Sequence, residues 1–192
     1  MSQFTDILAD VYTLTARSDL VAESKLGIRA ATIKLHGLEY WREDRIEEEI
    51  PVATVAGQFS LDASEDFSYA PRPNSLLVKK AASDSFFEEI NPKQLLDGFG
   101  FRRFDVFYRA GNLYKFLTSS QDSSVVASYY RMPTATEVAY ESWIADLYPH
   151  FIAVEAALFA ANTVSDSELE KRMQAMAAMN LAHLNINHLD PN

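Results

Sequence analysis

Asp146-Leu-Tyr-Pro-His-Phe-Ile-Ala-Val-Glu-Ala-Ala-Leu-Phe-Ala-Ala-Asn162 is the stretch on which the fold turns. Asp146 is placed to accept hydrogen bonds from the free N–H groups of a first helical turn. Pro149 falls inside that turn, where its missing N–H costs nothing. Leu147, Phe151, Val154 and Leu158 recur at helical spacing, and Ile152 and Phe159 widen the face. Ala153, Ala156, Ala157, Ala160 and Ala161 keep the other sides thin enough for a second helix to approach closely. Residues 163–166 break the pattern, and Ser165 with Glu168 has the spacing of a capping box that restarts the chain. The second helix carries Leu169, Met173, Met176, Ala177, Leu181 and Leu184 on one stripe. A short joint makes the two helices antiparallel neighbours.

The amino-terminal end repeats the plan. Ser2 is a candidate cap, and Phe4, Ile7, Leu8, Val11 and Tyr12 share a helical face. Ser18 is the expected cap of a second helix over 19–35, with Val21, Ile28, Ala31 and Leu35 inward and Gly37 as its stop. Two short helices do not hold themselves up, so the carboxy-terminal pair is their partner. Between the pairs the period changes. Residues 45–50 alternate, Pro51 marks an edge, and 52–61 reads as a strand bent at Gly57. Residues 76–78 form a short strand, and a single turn is expected around 91–97. Residues 105–109 and 113–117 flank Gly111 and Asn112 as a hairpin, and 125–131 is the last strand. Residues 134–137 suggest a helical turn. The expected class is α+β: a four-helix core from the two chain ends (1–39 and 134–192) with an inserted antiparallel β region (40–133), together one domain with an insertion.

Of 192 residues, 27 are acidic and 17 basic, for a net charge of −10. Residues 133–192 hold eight acids against two bases, so the carboxy-terminal half is the acidic part. That balance excludes grip on nucleic acid through neutralised phosphates. There is no cysteine, hence no disulfide or thiolate metal site. No basic leader and no long apolar run are apparent, which points to synthesis in the cytoplasm without membrane attachment.

Chemistry-bearing patterns are sparse. His36, His150, His183 and His188 include no pair spaced for a shared helical metal site, and they read as capping or surface groups. Glu47-Glu48-Glu49 reads as a solvated or inter-subunit strand edge. A small metal-dependent hydrolase built on that edge with His36 is a competing reading, as is a module binding a peptide along an exposed strand. Lys79-Lys80 and Arg102-Arg103 read as salt-bridged surface. Trp41 and Tyr40 are expected to close the second helix against the sheet. Met173 and Met176 read as core, and Met179 as a subunit contact. No nucleophile elbow, phosphate loop or dinucleotide fingerprint occurs, so neither enzyme activity nor a cofactor is expected.

Three stretches together resemble the head-to-tail adaptor (connector, or head completion) proteins of tailed bacteriophages. They are Phe4 through Thr32, Tyr129-Tyr-Arg-Met-Pro133, and Ser142-Trp-Ile-Ala-Asp-Leu-Tyr-Pro-His-Phe-Ile-Ala-Val-Glu-Ala-Ala157 with the helix that follows. The resemblance implies a ring, usually of twelve copies, below the portal protein in the virion, lining the channel through which genomic DNA passes. It implies a portal contact near the carboxy terminus, at His183, Leu184, Asn185, Ile186, Asn187, His188 and Leu189 and onward to Asn192; residues 185–192 are polar and read as poorly helical, in the manner of a segment that orders on docking. It implies a tail contact at Arg109, Gly111 and Asn112. Subunit seams are expected at Glu47, Glu49, Met179 and the alanine-rich helix faces. A different neck or tail completion protein is the nearest alternative. The long strand region departs from small adaptors and fits versions that double as a platform for tail parts.

Overall fold

The computed structural model describes residues 3–83, 85–96 and 100–189. It is α+β. Five helices run α1 (Gln3–Thr15), α2 (Val21–Leu38), α3 (Trp143–Leu147), α4 (Pro149–Thr163) and α5 (Ser167–His188). The strands are β1 (Arg45–Pro51), β2 (Gln58–Asp62), β3 (Leu77–Lys80), β4 (Glu88–Glu89), β5 (Val106–Ala110), β6 (Leu113–Leu117), β7 (Ser124–Tyr130), β8 (Thr134–Ala135) and β9 (Tyr140–Glu141). The chain divides into two compact units, 1–44 with 133–192, and 45–132.

The first unit is built around α4. Residues 151–157 are buried without a break, so α4 is enclosed on every side. α1, α2 and α5 each pack against it. The alanine faces expected at subunit seams are therefore used inside the unit. Ala153, Ala156, Ala157, Ala160 and Ala161 are all buried, and their small side chains let neighbouring backbones come close. The closest approach is at Gly27 of α2, where a Cβ would stand 2.9 Å from the Ala156 carbonyl oxygen. Glu155, the one acid in α4, is buried and receives the Lys34 ammonium at 2.7 Å. Trp41 belongs to this core and not to a sheet contact: it is fully buried, donates to the Leu35 carbonyl at 2.8 Å and meets Trp143 edge-on.

Several expected helix ends move. Ser142 caps the short α3, while Asp146 lies within α3 and accepts from Gln3 at 2.8 Å; α4 then starts afresh at Pro149. Leu147, expected inward, is exposed. Asp166, not Ser165, caps α5 through the Leu169 N–H, because Ser165 turns the joint in the left-handed region (φ 58°). α2 begins at Val21 without a side-chain cap, and a two-pronged Arg17–Asp19 ion pair occupies the joint where Ser18 was expected to act. Val21 is exposed, and α2 passes through Gly37 to Leu38. The Ser2 cap lies outside the described residues. Residues 134–141 form the β8–β9 hairpin and not a helical turn. Glu137 near its tip pairs with Lys25 (2.8 Å) and Arg29 (2.9 Å), fastening the hairpin to α2. Tyr140 anchors the same hairpin to Thr32 at 2.7 Å, and burial pushes its phenol up to about 12.

The second unit holds two sheets, in the orders β1-β7-β3 and β2-β6-β5-β4. The backbone bonds Phe87 N–H to Val78 O (2.8 Å) and Lys80 N–H to Ser85 O (3.0 Å) tie β3 to the segment that runs into β4. The β region is not purely antiparallel, because β4 pairs parallel with β5. Strand 52–61 shortens to β2, since residues 55–58 close a turn. In β5–β6, Gly111 takes φ 68° and Asn112 does not, the pattern of a II′ hairpin with glycine first. The core row Phe59–Phe116–Phe107 stacks across three strands, with centroids 4.6 and 5.1 Å apart. Phe67 meets Tyr114 and Tyr129 edge-on. The free edge of β2 is closed at both ends: Val55 and Gln58 exchange backbone bonds, and the Asp62 N–H donates to the Asp66 carboxylate at 2.6 Å.

Below this core, buried Lys80 meets Asp105 at 2.6 Å and Ser120 at 2.9 Å. Burial alone would raise the Asp105 carboxyl. The bonds from Lys80 and Ser119 outweigh it and hold the group below the usual carboxylate range. A folded value below the unfolded one means stability that is present above the unfolded range and lost as pH falls through the folded value. Lys80→Met is expected to cost about 1–3 kcal/mol at neutral pH. Urea midpoints taken down to ~pH 3 should show the variant losing less on acidification than the wild type; parallel acid limbs would refute the assignment.

Candidate assembly surfaces

The carboxy-terminal segment differs from its expectation. α5 stays helical to His188, and much of the segment is built into the fold. Leu184 is fully buried. The His188 imidazole sits between the Tyr148 hydroxyl (3.0 Å) and Glu43 (2.7 Å) and packs on Trp143 at 4.9 Å. The Asn187 carbonyl accepts from Arg42, and Asn185 is half-buried. A segment held this way is not one that waits to order on docking. Ile186, 83% exposed, is its prominent apolar group, with His183 exposed beside Tyr148 and Phe151 and Leu189 half-exposed against Trp41. The expected contacts at 190–192 lie outside the described residues.

Arg109, Gly111 and Asn112 are all exposed at one hairpin tip. Arg109 bends back on its own turn, donating to the Gly111 carbonyl at 2.9 Å with its guanidinium 5.8 Å from the Tyr114 ring centre. Glu47 and Glu49 share the outer face of edge strand β1; Glu49 accepts from Ser124, and Glu47 borders a shallow hollow with Leu77 and Phe86. Glu48 points inward and accepts from Tyr129 (2.6 Å) and Ser68. Burial opposes its charge, but those bonds prevail and keep the carboxyl low, while burial and Glu48 together raise the Tyr129 phenol. Arg103 pairs with Glu88, as a salt-bridged surface requires, but Arg102 lies over Phe104 at 6.0 Å.

Two apolar stripes stand out on the helical unit. On α5, exposed Ala175, Ala178, Met179, Ala182 and Ile186 follow a helical period distinct from the buried Met173, Ala177 and Leu184. Met179 is 73% exposed at its centre. On α2, exposed Ala22, Leu26, Ile33 and Gly37 line up, with half-exposed Leu38 and Tyr40 at the end. α2 and α5 each pack chiefly on α4, and the residues of both stripes are exposed. Of these residues the sequence singles out Met179 and Ile186 as contacts, and Gly37 and Tyr40 only in other roles. The signal was a second helical period offset from the core stripe on the same helix.

Ser142, His36 and Asp44 form a buried relay. His36 Nδ1 lies 2.8 and 3.0 Å from the two Asp44 oxygens, and Nε2 lies 2.9 Å from the Ser142 hydroxyl. A neutral ring satisfies every bond: Nδ1–H donates to Asp44, and Nε2 accepts the Ser142 O–H. The residue order matches a hydrolytic triad, but each side chain is at most 1% exposed. Ser142 Oγ is also occupied by the Ala145 N–H as the cap of α3. The relay joins α2, the turn at 42–44 and α3, and it commits His36, which the metal reading needed. Among the described residues no cluster of three or more His, Asp or Glu is placed to hold a metal. Among the described residues no helix is long and apolar enough to cross a membrane. No family model matches the chain, and no curated protein matches it.

Proposed function

We propose that this chain is a structural subunit that assembles head to tail into a ring at the neck of a tailed-phage virion, between portal and tail. The observation that carries the reading is the pair of outward apolar stripes on α2 and α5. A surface stripe of this kind marks a contact with another protein. Two unlike stripes on one subunit suit a heterologous contact, which closes into a ring when the rotation per subunit divides the circle. The excess of acids suits a channel wall that lets DNA slide past, because like charge prevents sticking. The hairpin tip at Arg109, Gly111 and Asn112 serves the tail side, and the exposed end of α5 the portal side. A different neck or tail completion protein would share the same contacts with other neighbours.

The test is native mass spectrometry of two double variants, alone and with portal protein. Leu26→Glu with Ile33→Glu blocks one stripe, and Ala175→Glu with Met179→Glu blocks the other, away from the portal-side end of α5. Wild type is expected to give rings with portal, and neither variant alone should exceed a monomer. An equimolar mixture of the two should give a one-to-one dimer and nothing larger, since only one intact seam can form. If both variants assemble as wild type does, the reading falls.

A further inference from the structure

The outer face of the β2-β6-β5-β4 sheet carries a cleft of about 350 Å³ that the ring reading does not use. Its floor is a row across three strands: Ser60 opposite Lys115, and Lys115 opposite Tyr108. Neighbours in such a row have Cβ atoms about 5 Å apart, so the three polar ends converge. The next row adds Gln58 opposite Leu117. Leu95, Leu96 and Arg102 complete the lining, held together by the Arg103 N–H to Leu95 carbonyl bond at 3.0 Å and by the Leu96–Arg102 bridge. Arg102 is the second cation of the lining.

Two features make this a site and not ordinary surface. In a chain with 27 acids against 17 bases, Lys115 and Arg102 line one cleft, and neither pairs with a carboxylate among the described residues. The side chains of Ser60, Tyr108 and Gln58 likewise bond to no other described side chain, so donors remain free around Lys115. The remaining wall is apolar, with Leu117 beneath and Leu96, 57% exposed, above. Pockets that hold small ligands combine these traits: apolar walls, a few convergent polar groups, and volumes of ~300–1,000 Å³.

We infer that this cleft binds a carboxylate carried on an apolar peptide, an acidic side chain flanked by aliphatic residues on a partner protein. Lys115 and Arg102 take the carboxylate, Tyr108 and Ser60 complete its hydrogen bonds, and Leu96 and Leu117 hold the aliphatic neighbour. A single carboxylate is the fitting anion, because its two oxygens can each meet one of the two cations, Lys115 and Arg102. The free edge of β2 is closed at both ends, so recognition goes through side chains in the cleft and not through an added strand. This inference stands independently of the ring.

The experiment titrates isotopically labelled full-length protein with acetyl-Leu-Asp-Leu-amide, its Asn counterpart, and sodium acetate, followed by amide NMR shifts. Saturable shifts are expected at residues 58–60, 102, 108 and 115 with the Asp peptide, with the Asn peptide at least about tenfold weaker. Lys115→Met and Arg102→Met should each weaken the Asp peptide about tenfold, and Lys93→Met, on nearby exposed surface, should leave it unchanged. Lys115→Gln serves as a second variant if Lys115→Met disturbs the sheet resonances. Equal binding of the Asn peptide, shifts mapping elsewhere, undiminished affinity in the Lys115 variants, or no saturation by ~10 mM peptide would each overturn the inference. Acetate binding as tightly as the peptide would reduce the cleft to a simple anion site and overturn the peptide assignment.

Discussion

Gly27→Leu is expected to lower the stability of the helical unit by about 3 kcal/mol, and Gly27→Ala by about 1–2 kcal/mol. At this position α2 meets α4 backbone to side-chainless backbone. A Cβ would lie 2.9 Å from the Ala156 carbonyl oxygen, 3.3 Å from its Cα and 3.4 Å from its Cβ. The first of those atoms is backbone in the middle of the most buried helix, so it has nowhere to retreat. Alanine regains up to about 1 kcal/mol of helix propensity over glycine, which offsets part of the overlap. Leucine regains a similar amount and adds three more carbons to the clash. Gly37 is the internal control: it lies on the same helix, and a Cβ there meets nothing. Gly37→Ala should be neutral or stabilising. Urea midpoints for the three variants decide the matter, and a Gly27→Ala variant as stable as Gly37→Ala would show that the two helices do not touch as described.

Asp44→Ala should cost about 3 kcal/mol. Asp44 is fully enclosed and holds His36 Nδ1 through both oxygens. Removing it strands a donor that water cannot reach, at the point where the turn at 42–44 closes over α2. The loss reaches the Ser142 cap of α3 through the same ring. Combining Asp44→Ala with His36→Leu removes the stranded group, so the double variant should be less destabilised than the two single variants summed, by about 1 kcal/mol or more. Simple additivity would mean that His36 and Asp44 act separately. Catalysis makes the opposite demand on such a triad, since a nucleophile has to meet substrate. The enclosure of Ser142 is why this relay is read as a fastening.

The broad plan was legible from the residues. Helical periods at Phe4, Ile7 and Val11 and at Met173, Ala177 and Leu184 mark stripes that are buried in the fold. The hairpin about Gly111 and the strand expected at 125–131, found at 124–130 and followed by β8 and β9, were also readable, because turn chemistry and alternation are local signals. What was not legible depends on partners distant in sequence. The alanines of α4 announce close approach but not whether the approaching helix belongs to the same chain; Gly27 answers that, and nothing near Gly27 says so. Helix starts slipped because Ser142, Asp146, Ser165 and Asp166 are all competent caps, and backbone geometry chooses among them. Polar letters made 185–189 look loose, although the His188 ring is held by Tyr148 and Glu43, the Asn187 side chain donates to the His183 carbonyl, and the Asn187 backbone carbonyl accepts from Arg42. The cleft at Lys115 was invisible for the same reason: its parts come from β2, β5 and β6, aligned by strand register, and from Leu95, Leu96 and Arg102 beside them.

The interleaved order of the two units bears on how the protein is made. Residues 45–132 form one unbroken run, so that unit has all its chain as soon as Met132 leaves the ribosome. α1 and α2 have no such luck. Their inward faces await α4, more than a hundred residues downstream of α2, which at 5–20 residues per second is a delay on the order of ten seconds. Through that interval Phe4, Ile7, Val11 and Ile28 lack the cover that α4 gives them. Nascent-chain pulldowns should therefore find holding chaperones on the amino-terminal helices, and find them gone once α4 has emerged.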